Sequence, residues 1–291
     1  MIRHPHGAPI IILLLLLCAN RTTVLAAAPQ NQIPSCYAFS KVGVLPPEFE
    51  RTLFVMIDQT TMLNAELKQA LSDSVRSFLR PGTSFTIIRF SAFSQGRYLD
   101  IVSTGVLEQP IPHEIRNSIS VKSLKQFDSC VRGQVEFGAK LALSSIEKIV
   151  SDSTSGLEKS DVMASLAEVS RIAKESRAPR RVVLVVSDML ENSSISSFYE
   201  KNGVRRIDPA KEMKAVEENN FIGDFGGASV YVMGAGLLPD STDGKSKGSS
   251  KSGYRDPKTM MALKQFWSSY FAKSKAKLEE FGMPALLSPV R

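Results

Sequence analysis

Apolar residues follow two rhythms along this chain. Five short stretches, residues 51 to 57, 84 to 93, 97 to 104, 181 to 187 and 229 to 235, are rich in β-branched and aromatic side chains. Three of them are apolar at consecutive positions, which is how strands buried on both faces read. Between them the period changes. Leu63, Leu67, Leu71, Val75 and Phe78 recur every three or four positions, as do Val135, Ala139, Leu143, Ile146 and Val150, and then Val162, Leu166, Val169 and Ile172. Each set predicts a helix with one buried stripe. Arg80-Pro81-Gly82 stops the first of these helices. Asp208-Pro209 and Asp256-Pro257 each read as an N-cap followed by proline at the first helical position, and the second pair opens a long helix with Met260, Leu263, Trp267 and Tyr270 on one face.

Strands alternating with helices of this length predict an α/β fold: a Rossmann-like, mostly parallel central sheet with helices on both faces, forming one domain over residues 50–291. Three connections read as insertions, 105–134, 190–227 and 238–254, the last rich in Gly, Ser and Lys.

Composition adds a compartment. Positive charge, an unbroken Ile/Leu run from Ile10 to Leu17 and the sequence VLAAAP form the three-part layout of a secretory signal over residues 1–26. That run is too short to span a bilayer, and no other apolar run is longer, so no membrane span is expected in the mature chain. The protein is therefore expected to be exported, either periplasmic or secreted. Loss of Arg3 and Arg21 lowers the formal charge of +7 by two. The remaining charge is mildly basic and gives no nucleic-acid signature. Cleavage also leaves Cys36 and Cys130 as the only cysteines, so one disulfide is expected to tie the N-terminal extension 27–49 to the domain. With His113 the only remaining histidine and no CxxC, nothing reads as a zinc site.

Three polar clusters fall where strands end: Asp58-Gln-Thr60-Thr61 after the first, Ser160-Asp161 before the third helix, and Ser187-Asp188 after the fourth. Hydroxyl and carboxylate oxygens meeting at one spot suit a hard divalent cation such as Mg²⁺. The same carboxylates also suit backbone N–H groups at helix starts, with no metal.

The strand running into Asp58-x-Thr60, the turn Lys-Ser160-Asp161-Val-Met-Ala-Ser-Leu166 and the strand VVLVVSD188 together resemble a von Willebrand factor type A (vWA) domain over roughly residues 50 to 285. The resemblance implies a metal-ion-dependent adhesion site. Asp58 and Asp188 would hold the ion through water, Thr60 would bind it directly, and Ser160 would stand for the family's loop threonine. Met62 occupies the place of the third hydroxyl, and a thioether is a poor ligand for a hard ion. The site is thus degenerate unless Thr61 or Asp161 supplies an oxygen.

Beyond Asp188 stand Glu191, Asn192, Ser193, Ser194, Phe198 and Tyr199. Polar groups beside aromatics suit either a surface for a protein partner or a loop packed by its own aromatics. The chain has no GxSxG, HExxH, GxGxxG after a strand, or P-loop. The expected function is accordingly a protein-binding module at the carboxyl edge of the sheet, metal-assisted, and not an enzyme. Two alternatives stand beside it: a metal-assisted phosphatase-like hydrolase with Asp58 as nucleophile, and a ligand-free structural component of an envelope assembly.

Overall fold

Strand β1, Arg51–Asp58, is buried from Thr52 to its end. Phe54 and Met56 pack into one hydrophobic cluster while Leu53, Val55 and Ile57 pack into another on the opposite face. Successive side chains of a strand point to opposite faces, so a strand covered on both sides is apolar without alternation. The computed structural model describes residues 30–91, 99–154, 160–200, 203–238 and 256–291.

The remaining elements are α1 (Cys36–Ser40), α2 (Ala65–Phe78), β2 (Thr83–Phe90), β3 (Leu99–Leu107), α3 (His113–Arg116), α4 (Val121–Ser151), α5 (Val162–Glu175), β4 (Arg180–Val186), β5 (Tyr199–Glu200), β6 (Gly203–Val204), α6 (Pro209–Glu218), β7 (Ser229–Met233), α7 (Pro257–Lys273) and β8 (Lys277–Phe281). Six strands form the central sheet in the order β3-β2-β1-β4-β7-β8, all parallel except β3. Helices α2 and α4 cover one face, and α5, α6 and α7 cover the other. This is the Rossmann-like, vWA-type architecture expected from the sequence. The chain builds outward from β1 through β2 to β3, then returns to place β4 on β1's other side. The strand order therefore reverses between β1 and β4, and the carboxyl ends of those two strands frame the crevice where ligands of open α/β sheets collect.

Capping chemistry fixes the helix starts. Asp208 accepts from the Ala210 and Lys211 N–H groups, and Asp256 accepts from Thr259 N–H. Both prolines sit in the first helical turn, where no N–H is missed. Gly82, at φ +78°, closes the turn into β2 and donates its N–H to Leu107 O at 2.8 Å.

Several boundaries differ from expectation. Residues 105–134 are not a loop insertion: β3 runs to Leu107, and α4 is a 31-residue helix from Val121. Its N-terminal half buries Phe127, Val131 and the polar Gln134, which dilutes the apolar stripe that a period search needs. β8 gives no strand signal in the sequence, because an edge strand reading KLEEF exposes its charges. The 190–227 connection holds the β5–β6 hairpin and α6. The expected signal segment 1–26, the end of the expected strand 84–93 and the start of the expected strand 97–104 (residues 92–98), and all of the 238–254 connection except Leu238 lie outside the described residues.

Cys36 and Cys130 are joined in a disulfide across a sequence separation of 94, with Cα atoms 5.6 Å apart. Around it Tyr37, Val42, Ile111, Phe127 and Val131 form a small separate core. The buried Glu108 carboxylate accepts from Cys36 N–H at 2.6 Å and Ser35 Oγ at 2.7 Å, and so caps α1 from the β3 side. Among the described residues no helix is long and apolar enough to cross a membrane.

Candidate functional site

Asp58 ends β1 with no solvent exposure. Its Oδ1 accepts from Thr60 N–H at 2.9 Å and Thr60 Oγ1 at 2.6 Å, and its Oδ2 from Ser160 Oγ at 2.9 Å and Ser187 Oγ at 2.8 Å. Three segments remote in sequence thus deliver hydroxyls to one carboxylate. Burial pushes the Asp58 carboxyl above its ordinary range, against these four hydrogen bonds, which favour the ionised form.

Asp188 stands beside this cluster at the exit of β4. Its N–H donates to Thr61 Oγ1 at 3.0 Å, its Oδ1 accepts from Leu190 N–H at 2.8 Å, and its Oδ2 accepts from Tyr199 Oη at 2.6 Å. The turn is tight: Met189 takes a left-handed φ of +60°, its N–H donates to Ser187 Oγ, and its carbonyl accepts from Trp267 Nε1 at 2.9 Å. A positive φ at a bulky residue is strained backbone, held here by the packing of α7 beneath it.

The turn before α5 is stitched to the loop after β4. Ser160 and Asn192 exchange backbone hydrogen bonds at 3.2 and 3.0 Å. Asp161 takes the N-cap position of α5, and the Glu191 carboxylate reaches the helix start, accepting from Met163 N–H at 2.8 Å. Burial pushes the Glu191 carboxyl up to about 8.

Hydrogen bonds thus join Asp58 to Thr60 and Ser160, and Thr61 links this cluster to Asp188, while Asp161 follows Ser160 at the start of α5. Met62 turns outward, 56% exposed, and takes no part. Thr61 points inward in its place, but its oxygen serves the Asp188 backbone. Ser187 is a further member, recognisable as the hydroxyl directly before Asp188. Among the described residues no group of three or more His, Cys, Asp and Glu side chains gathers as a metal cluster. The donor set here is two carboxylates plus hydroxyls. Thr60 and Ser160 donate their protons to Asp58, which leaves their oxygen lone pairs for a hard cation, so these residues fit an ion of the Mg²⁺ class.

The predicted partner surface needs correction. Phe198 is fully buried, packed edge to face on Phe266 at 5.4 Å, with the Arg205 guanidinium 5.4 Å over its ring. Glu191 is buried as the α5 cap. Neither offers surface to a partner. Asn192, Ser193 and Tyr199 are half-buried and Ser194 is exposed. The loop is packed by its own aromatics and by Glu212, which accepts from Ser196 Oγ at 2.6 Å and Arg205 Nη2 at 2.7 Å.

No protein-family model matches this chain, and no curated protein is similar to it. Among solved structures, an aerotolerance-related membrane protein from Bacteroides fragilis aligns over 80% of this chain and 92% of its own at 11% identity, with a TM-score of 0.34. BatB from Bacteroides thetaiotaomicron aligns over 81% of this chain and 91% of its own at 14% identity and a TM-score of 0.32. Proximal thread matrix protein 1 of the mussel byssus aligns at 14% identity and a TM-score of 0.31, over 65% of this chain and only 39% of that protein.

Proposed function

We propose that the protein is an exported vWA-like binding module, periplasmic or secreted, which engages a protein partner at the carboxyl edge of the sheet around Asp58, assisted by a divalent cation. The observation that carries this reading is the convergence of Thr60, Ser160 and Ser187 on the fully buried Asp58. A buried carboxylate ringed by hydroxyl oxygens supplies an ion with charge and hard ligands. Asp58 and Asp188 act through water, while Thr60 and Ser160 bind directly. With Met62 turned away, the shell has one protein ligand fewer than the vWA pattern, which leaves a position for a carboxylate of the partner. The disulfide suits an oxidising compartment.

The hydrolase alternative draws less support. A nucleophilic Asp58 needs a general acid beside it, and the side chains that meet its carboxylate are the hydroxyls of Thr60, Ser160 and Ser187. The test is a pull-down from the exported fraction with and without EDTA, paired with titration of Mg²⁺ into the purified protein. A partner retained only with metal supports the reading. Absence of any metal-linked thermal shift in the unmutated protein rules out the cation.

A further inference from the structure

The N-terminal half of α4 carries a feature that the sheet-edge site does not use. Between it and α1 runs an open groove of about 520 Å³, lined by Phe39 of α1 and by Lys122, Lys125, Gln126, Cys130 and Gly133 of α4. Phe39 holds its ring outward, 62% exposed, although α1 buries Cys36, Tyr37 and Ser40. Phe137, 49% exposed, stands one turn beyond Gly133 on the same stripe of α4.

The two glycines of α4 are not equivalent. At Gly138 a Cβ would come within 2.5 Å of the Leu107 side chain, so packing on β3 explains it. At Gly133 a Cβ would meet nothing within 4 Å. The fold gains nothing from glycine there, and only proline is a poorer residue for a helix interior. A glycine between two exposed phenylalanines leaves room there for another backbone to approach closely. The groove's charge points the same way: Lys122 and Lys125 line it with no carboxylate, and the nearby Asp128 pairs with Arg116 at 2.7 Å.

We infer that this groove docks an acidic peptide segment of a partner protein that carries one aromatic or aliphatic anchor. Gly133 admits the peptide backbone, Phe39 and Phe137 flank the anchor, and the two lysines face the acidic side chains. The site is separate from the sheet edge: Cys130 lies about 33 Å along α4 from Asp152, at about 1.5 Å per residue, and it is just past Asp152 that Thr154 N–H meets Gln59 O, next to Asp58. It therefore works without metal.

Selection from a phage-displayed random peptide library on the full chain in EDTA tests this. The expected result is enrichment of Asp/Glu-rich sequences with a single apolar anchor. A synthetic copy of the leading sequence should bind at least about tenfold more weakly to the Lys122→Glu/Lys125→Glu variant and to Gly133→Leu, and more weakly in high salt. Gly133→Leu should melt no lower than the unmutated protein, which separates a blocked groove from a misfolded one. The proposal is overturned if no acidic sequences are enriched, if either variant binds the peptide as well as the unmutated protein, or if phosphatidylglycerol vesicles occupy the groove while peptides do not.

Discussion

Tyr199 donates its phenol hydroxyl to Asp188 Oδ2 across 2.6 Å, so the loop after β4 reaches back and holds the carboxylate that ends that strand. Burial first, and the Asp188 charge second, push the phenol well above its ordinary range, so it stays a donor at any physiological pH. The proposed cation site draws on the same carboxylate, so a bound cation would have to share Asp188 with the tyrosine.

Tyr199→Phe therefore acts in two directions. Without metal it costs about 1 to 3 kcal/mol, the loss of a hydrogen bond to a charged acceptor. With Mg²⁺ the thermal shift grows relative to the unmutated protein, because Asp188 Oδ2 is released. Differential scanning fluorimetry across a Mg²⁺ series measures both effects; a shift equal to that of the unmutated protein means Tyr199 is purely structural.

Asp58→Ala strands three hydroxyls and one N–H whose acceptor is removed. A loss of about 3 to 5 kcal/mol is expected in urea unfolding, together with loss of any Mg²⁺-dependent stabilisation. Asp58→Asn keeps one accepting oxygen and should cost less. Asp188→Ala should likewise abolish the metal-linked shift, since the reading requires both carboxylates.

Glu191 gives a pH signature. Its carboxyl is raised from the ordinary 4.5 to about 8, chiefly by burial. Its contribution to stability is therefore full below pH about 4.5 and is lost as pH rises through about 8, since the folded state holds the proton more tightly than the unfolded chain. Glu191→Gln, a neutral isostere, should flatten the stability profile over that window and be more stable than the unmutated protein above pH 8. Chemical denaturation at a series of pH values checks this, and an unchanged slope would count against a protonated Glu191.

Reduction of the Cys36–Cys130 bridge should lower stability by about 4 to 5 kcal/mol on the chain-entropy model for a closure of this length. The effect should be local in kind. The α1 segment, held otherwise by Glu108 and the small core around Tyr37, is expected to exchange ahead of the main sheet. Hydrogen exchange with and without reductant measures it.

The sequence by itself determined the class of fold, because apolar strands covered on both faces and helices with one buried stripe have different periods, and both were strong over β1, β4, α2, α5 and α7. It also determined which carboxylates end the strands, since Asp58 and Asp188 close the apolar runs of β1 and β4. Only the tertiary structure decided what those groups do. Strand order brings Ser160 and Ser187 to Asp58, and no local pattern states which hydroxyl serves which oxygen. Phe198 and Glu191 read as surface in a polar loop, yet the core claims both. A loop's exposure is set by what packs beneath it, and here that is Phe266 and the start of α5. The pair at Met62 and Thr61 shows the division most plainly: the sequence marked the thioether as the wrong ligand, and the turn geometry placed it in solvent and sent the threonine inward to the Asp188 backbone.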